Sequence, residues 1–329
     1  MPHSPAPGNT PSNDQKSPTV SVVIPAMNEE RNLPHVFAKL PEGIDEVIVV
    51  DGGSVDRTIE VARELRPDVV IVQQTRTGKG NALACGFAAC TSDIIVMIDA
   101  DGSTDPAEIP LFVDQLVNGA DFVKGSRFAK GGHSHDITKL RKLGNDGLNL
   151  VVNVLFGTRF TDLCYGYNAF WRSVVPVLDL PETSLPRKAD GTKHWGDGFE
   201  IETMINIRAA VDGMTVGEVG SIEHRRIHGE TNLNTFRDGF RVLRTIFSEY
   251  GRMRRGGRTI RRTPARQATT AAPMQPRPAA PLRNKVVNRA PAATADARQH
   301  VAHLNRGLRR DEAGSRDSRT LQARTHRED

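Results

Sequence analysis

The chain has 329 residues, 38% of them apolar, and 44 Lys and Arg against 39 Asp and Glu give it a formal charge of +5. Its three cysteines, Cys85, Cys90 and Cys164, form no CxxC pair and no even framework, which speaks against a zinc ribbon or a disulfide scaffold. No stretch approaches 18 uninterrupted apolar residues and the first residues lack a charged, apolar leader, so neither a membrane span nor secretion is predicted.

Composition divides the chain into three parts. Residues 1–17 hold almost nothing to bury. From Arg252 onward, 19 Lys and Arg stand against six Asp and Glu, a net of +13, so the remainder is acidic at −8. Neither end can offset its ordering entropy by burial. The expectation is a disordered extension over 1–17, one α/β domain over 18–251 and a disordered basic tail over 252–329. A basic tail suits an anionic membrane surface. It lacks the interleaved aromatics that stack on bases, so no nucleic-acid partner is expected.

In chain order, Val20–Ile24 reads as a buried strand closed by Pro25, and 28–40 as an amphipathic helix. Glu46–Val50 is a second strand, ending at Asp51-Gly52-Gly53-Ser54. Asp56 is placed to cap a helix over 57–65. Val69–Gln73 is a third strand, and the turn Thr77-Gly78-Lys79-Gly80 leads into an Ala-rich helix over 81–90. Ile94–Ile98 is a fourth strand, ending on Asp99-Ala100-Asp101, and Asp121–Gly125 is a fifth. Beyond it, helices are expected over 139–156, 198–208 and 232–250, with a strand over 216–224. In the last helix Phe236, Phe240, Leu243, Ile246, Phe247 and Tyr250 read as one apolar face. Strands without alternation, each followed by a helix, predict a mostly parallel sheet covered on both faces. Ligands then bind beyond the carboxyl ends of the strands, where Pro25–Glu30, Asp51–Ser54 and Asp99–Asp101 lie.

Asp99 and Asp101, two residues apart at a strand end, can both reach one hard divalent cation and leave its other positions open to phosphate. Such a metal offsets charge on a departing diphosphate. Asp105 reads as a helix cap. Asp51 and the 25–30 loop can hold a base and ribose. The Gly78-Lys79-Gly80 turn is no Walker loop and no GxGxxG.

The segments VSVVIPAMNEE, EVIVVDGGSVDRT, TGKGNALACGFAAC and IIVMIDADG, in this order, resemble glycosyltransferase family 2 with its GT-A fold. The resemblance implies a DxD-type site for Mg²⁺ or Mn²⁺ at Asp99 and Asp101, and a nucleotide pocket lined by Pro25, Ala26, Asn28, Glu30 and Asp51; Lys79 and Asp99 are further candidates for binding the donor. Gly52 stands where the family often has Asp. Gly125-Ser126-Arg127, Arg141 with Asn145, the D-x-x-x-G-Y turn from Asp162 and Arg226-Ile-His-Gly-Glu-Thr-Asn-Leu are similar to the dolichyl- or polyprenyl-phosphate mannose synthase branch. There Arg127 and Arg226 are implied to face phosphates. A Lys of that last element is Asn232 here.

The expected function is transfer of a hexose from GDP-mannose or a UDP-hexose to a polyprenyl phosphate. An ionised acceptor needs no general base, whereas a hydroxyl acceptor would use Glu200 or Glu202, of which Glu202 is the candidate carried forward. Two alternatives stand beside it: a soluble acceptor, in the manner of glucosyl-3-phosphoglycerate synthases, and a non-catalytic basic-tailed binding protein. Residues 232–262, an amphipathic helix followed by arginines, fit a peripheral contact with an anionic membrane on the cytoplasmic side.

Overall fold

Strands form where short β-branched runs can be buried from both sides. In the computed structural model these are β1 (Val20–Ala26), β2 (Glu46–Asp51), β3 (Val70–Gln73), β4 (Ile94–Met97) and β5 (Phe122–Ser126). They are followed by β6 (His133–Ser134), β7 (Asn168–Trp171), β8 (Val216–Gly220) and β9 (Ile222–Glu223). The helices are α1 (Leu33–Phe37), α2 (Thr58–Leu65), α3 (Lys79–Ala89), α4 (Ile109–Val117), α5 (Lys139–Phe156), α6 (Val175–Leu178), α7 (Glu200–Val211) and α8 (Thr235–Arg255). The structure describes residues 17–229 and 235–256, with backbone alone at 235 and 236. The expected extension before Ser17 and the tail beyond Gly256 lie outside the described residues, as does the side chain of Phe236.

Seven strands make one sheet in the order β3-β2-β1-β4-β7-β5-β8, and β6 and β9 form a separate parallel ribbon. The chain winds from β1 outward to β3, then returns through α3 to place β4 on the other side of β1. This reversal sets the crevice between the carboxyl ends of β1 and β4, where ligands enter open α/β sheets. Among the described strands only β7 runs against its neighbours, pairing antiparallel with both β4 and β5. Aromatic residues around 162–171 concealed it in the sequence.

Successive residues of the central strands serve opposite cores. Val22, Ile24 and Val96 pack with Phe112 and Leu116 of α4. Val23, Ile95 and Met97 pack with Leu83 of α3 and Ile201 and Ile205 of α7. With both faces covered there is no polar alternation to read. Helix α3 lies so close to the sheet that a Cβ on Gly86 would stand 2.4 Å from Val23 Cγ1. A third cluster joins Val152 and Phe156 of α5, Ile207 of α7 and Ile246 and Met253 of α8.

Two helices depart from expectation. Helix α1 is five residues long because Asn28, at φ 59°, turns the chain through the left-handed region before any helix begins. Helix α8 runs five residues past Tyr250, and packing covers only part of its apolar stripe. Ile246 is buried, whereas Phe240 and Phe247 point outward.

Candidate active site

The turn after β4 carries Asp99 and Asp101, and a cation approaches each from a different part of the chain. Lys79 Nζ donates to Asp99 Oδ1 and to Glu202 Oε1, both at 2.5 Å. Lys79 opens α3 and Glu202 lies in the first turn of α7, so the two helix starts must meet. A buried clamp achieves this. The Arg76 guanidinium donates two bonds to the Asp197 carboxylate, at 2.7 and 2.8 Å, and others to the carbonyls of Glu182, Thr183 and Leu185. Gly80 N and Asn81 N donate to the Asp197 carbonyl. A Cβ on Gly80 would stand 1.8 Å from Gly196 O, so the contact requires glycine. Gly166, in the turn from Asp162, leaves space for Glu202 in the same way, since a Cβ there would lie 2.7 Å from its Oε1. Glu200 accepts from Gly196 N and Gly198 N and ties its own loop. Of the two glutamates, Glu202 therefore faces the carboxylate pair.

On the other side, Ser103 N donates to Asp101 Oδ1, and Arg226 Nε donates to Asp101 Oδ2 at 3.2 Å. Arg226 Nη2 reaches Glu29 Oε1 at 3.3 Å. The 224–229 segment is laid across the turn: His224 N donates to Ser103 O and Ile227 N to Asp101 O. Asn32 fixes the segment's far end through paired bonds with the backbone of His228.

Burial shapes the charges here. It pushes Asp99 above the usual carboxylate range, against Lys79 but with the help of Asp101 and Glu202. It pushes Glu29 upward too, despite the bond from Asn32 and the charge of Arg226. It also opposes the charge of Asp101, where the bonds from Ser103 and the charge of Arg226 prevail and hold the carboxyl low. Burial works against the ammonium of Lys79, and Asp99 and Glu202 overcome it. When ionised, the four carboxylates Glu29, Asp99, Asp101 and Glu202 exceed the two cations by two charges. That excess and the all-oxygen donor set fit a hard divalent ion. Among the described residues no three His, Cys, Asp or Glu groups converge to hold a metal alone, so Asp99 and Asp101 would supply only part of its shell.

The expected donor loops come together beside this turn. Pro25 and Ala26 pair in register with Val50 and Asp51. The buried Asp51 carboxylate accepts from Gly53 N and Ser54 N, and Asn28 Oδ1 accepts from Val55 N. Glu30 accepts from Arg57 N. Gly52 donates to Ala26 O, and a Cβ on it would sit 3.0 Å from Met27 Cβ. The close approach of the two loops thus accounts for glycine at that position.

Arg127 does not open toward a phosphate. Its Nε and Nη2 donate to the fully buried Asp162 and its Nη1 to Glu223. Arg141 pairs with Asp136, while Asn145 is buried with neither amide atom bonded. Asp105 accepts from Ala107 N, as a cap does. Sequence reasoning missed Glu29, Asn32, Arg76 and Asp197. Glu29 adjoins Glu30 in the same motif, and only the left-handed turn at Asn28 decides which glutamate faces inward.

A switch-point crevice with an acidic pair at its floor, on this sheet order, defines a GT-A glycosyltransferase. The glycosyltransferase AglJ of Haloferax volcanii is 32% identical over 223 residues, spanning 67% of this chain and 68% of its own. Residues 21–177 match glycosyl transferase family 2, and the chain belongs to that family. A dolichol-phosphate mannosyltransferase of Pyrococcus furiosus is 37% identical over 170 residues, 49% of this chain and 48% of the relative. A dolichyl-phosphate hexose transferase of Haloferax volcanii is 28% identical over 69% of this chain and 92% of its own. Glucosyl-3-phosphoglycerate synthase of Mycobacterium tuberculosis, solved with Mn²⁺, UDP and glucosyl-3-phosphoglycerate, superposes with a TM-score of 0.55. That pair is 25% identical over 71% of this chain and 80% of the solved one.

Proposed function

We propose that the chain transfers a hexosyl unit from GDP-mannose or a UDP-hexose to a polyprenyl phosphate. The observation that carries this reading is the cluster of Glu29, Asp99, Asp101 and Glu202 at the switch point, four carboxylates against the two cations Lys79 and Arg226. Relatives named for dolichyl phosphate support the lipid acceptor. Asp99 and Asp101 would hold Mg²⁺ or Mn²⁺, which when bound supplies positive charge to the departing diphosphate. Pro25, Ala26, Asn28, Glu30 and Asp51 line the edge offered to the nucleoside. Lys79 and Arg226 are the cations adjacent to the pair and are placed to meet donor or acceptor phosphate. Arg127 acts through Asp162 and Glu223 as a positioning residue. Residues 232–262 give the enzyme a basic, apolar contact with the cytoplasmic membrane surface.

The solved neighbours favour a second reading with a soluble phosphorylated acid as acceptor. Under that second reading a hydroxyl acceptor would need a base, and Glu202, held by Lys79 beside Asp99, is the group in place.

The test is turnover of labelled nucleotide sugars with polyprenyl phosphate and Mg²⁺ or Mn²⁺, followed by butanol extraction. Label is expected in the organic phase, reduced at least about 100-fold in Asp101→Ala. Label confined to water would move the acceptor to the second reading. No donor consumption at all would overturn both.

A further inference from the structure

One lysine lies in the core rather than in the crevice. Lys124 of β5 is fully buried, in register with Asn168 of β7 on one side and Glu218 of β8 on the other. The next row on the same face of the sheet is Phe122 and Phe170, so an apolar side chain would suit the position. Burial holds the ammonium below the usual lysine range, although Asp162, Glu218 and Glu202 pull the other way. Among the described residues it makes one hydrogen bond, to the Tyr165 carbonyl at 2.6 Å, while the amide oxygen of the adjacent Asn168 has no partner. A lysine kept for its hydrogen bonds would take up that oxygen too. What this one adds is a charge.

Three carboxylates lie within reach of that charge, and two have partners of their own. Asp162 takes three bonds from Arg127, and Glu218 accepts from Thr161 N and Oγ1. Burial pushes a fourth group, the Cys164 thiol, up to about 12 and keeps it neutral. Among the described residues the Glu202 carboxylate has only Lys79, which it shares with Asp99. One turn of chain joins Lys124 to that pair. Tyr165 accepts from Lys124, and a Cβ on the next residue, Gly166, would lie 2.7 Å from Glu202 Oε1 and 3.4 Å from Lys79 Nζ. Lys79 is also a cation placed to meet a donor phosphate. Once it turns to that phosphate, Glu202 is left largely buried with no cation beside it.

We propose that Lys124 is a positioning residue for the donor. Its buried charge, set behind the Tyr165–Gly166 turn, offsets Glu202 from the core side and so frees Lys79 for the diphosphate of a nucleoside diphosphate. The proposal rests on the nucleotide-sugar reading above and adds to it a residue that touches no substrate. In this arrangement Lys79 is shared between Glu202 and the incoming phosphate, and Lys124 decides how readily it changes partner. Without Lys124, each diphosphate that binds must leave Glu202 as an uncompensated carboxylate.

The experiment titrates the full chain by calorimetry with UDP and GDP, and with UMP and GMP, in the presence of Mg²⁺. Lys124→Gln keeps an N–H for the Tyr165 carbonyl and removes the charge, whereas Lys124→Met removes both. Thermal unfolding checks that each variant is folded. Diphosphate affinity is expected to fall about tenfold in both, with monophosphate affinity unchanged. Adding Glu202→Gln to Lys124→Gln is expected to restore the wild-type value. Wild-type affinity in folded Lys124→Gln overturns the proposal, as does an equal loss for mono- and diphosphates, which marks a role in the fold alone. Restoration by Glu218→Gln instead of Glu202→Gln overturns it too, by assigning the charge to Glu218. Glu202→Gln alone decides the matter if neither lysine variant folds. Affinity equal to wild type is expected, because Lys124 already offsets Glu202. A tenfold gain would show Glu202 restraining Lys79 in the wild type, against the proposal. In turnover the loss in Lys124→Gln should appear in the donor KM, and a loss confined to kcat overturns the proposal. Failure of the wild type to bind either diphosphate retires the donor reading and the proposal together.

Discussion

Up to Ser126 the site is built from strand ends, and after Ser126 it is built from buried ion pairs. In the first region Asp51, Asp99 and Asp101 take their positions from parallel strands whose spacing is fixed by backbone hydrogen bonds. In the second, Arg127 grips Asp162 and Glu223, Arg208 grips Glu249, and Asp197 reaches back to Arg76. Regular backbone pairing places a side chain without regard to its identity. An ion pair places it only while both partners are present. The second region should therefore be more sensitive to single substitutions, although it carries fewer of the groups proposed to meet the donor.

Arg127→Ala gives the largest expected effect. It leaves Asp162 buried without its cation, which should cost about 3–5 kcal/mol, read as the urea midpoint. A midpoint equal to wild type would show that ion pairs do not hold the second region. Arg226→Ala sharpens the contrast, because this arginine is partly exposed and sits on the carboxylate pair. Its kcat/KM should fall about 100-fold while the midpoint barely moves. A collapse in stability would place it with the clamps instead.

Next comes Gly86→Ala, a probe of the first region. The added methyl would press on Val23 and Val50 and should cost about 1–3 kcal/mol by overpacking. A neutral result would mean that α3 can move off the sheet.

The smallest effect concerns Glu108, which joins the regions by accepting from Ser221 Oγ and Ile222 N. Burial raises its carboxyl above 4.5, against those two bonds. A raised acid contributes stability that is complete below its unfolded value and is lost as pH rises through its native value. Glu108→Gln should flatten that decline when urea midpoints are compared across pH from 4.5 upward. Parallel pH curves for the two proteins would remove Glu108 as the link.

The same division explains what could be read from the sequence. Four of the strand ends were legible because unbroken β-branched runs, each closed by Asp, Pro or Gly, permit few alternatives. Helix α5 was legible over its full length from its period. Strand β7 was not, since its four residues, Asn168–Trp171, show no alternation behind Tyr165 and Tyr167 and pair with strands far away in sequence. The clamps were equally hidden. Arg76 and Asp197 are 121 positions apart, and nothing local distinguishes them from surface charges. Arg127 was visible as an arginine in a motif, but its partners were not, so its orientation could not be foreseen. The apolar face of α8 was read as one stripe because periodicity reports which residues share a side, and Phe240 and Phe247 lie at the edge that packing leaves outside.

Strand β7 also governs the order in which a nascent chain can settle. It alone hydrogen-bonds both β4 and β5 from between them. Until Trp171 has been synthesised, β4 presents one open edge and β5 has no neighbour, since its other partner, β8, comes later still. The strand that leads to Asp99 and Asp101 thus borders the growing sheet through a long interval of translation, when an unpaired apolar edge is most prone to wrong partners. Chains stopped before Asn168 should be captured by chaperones far more readily than chains stopped just after the β7 segment has emerged.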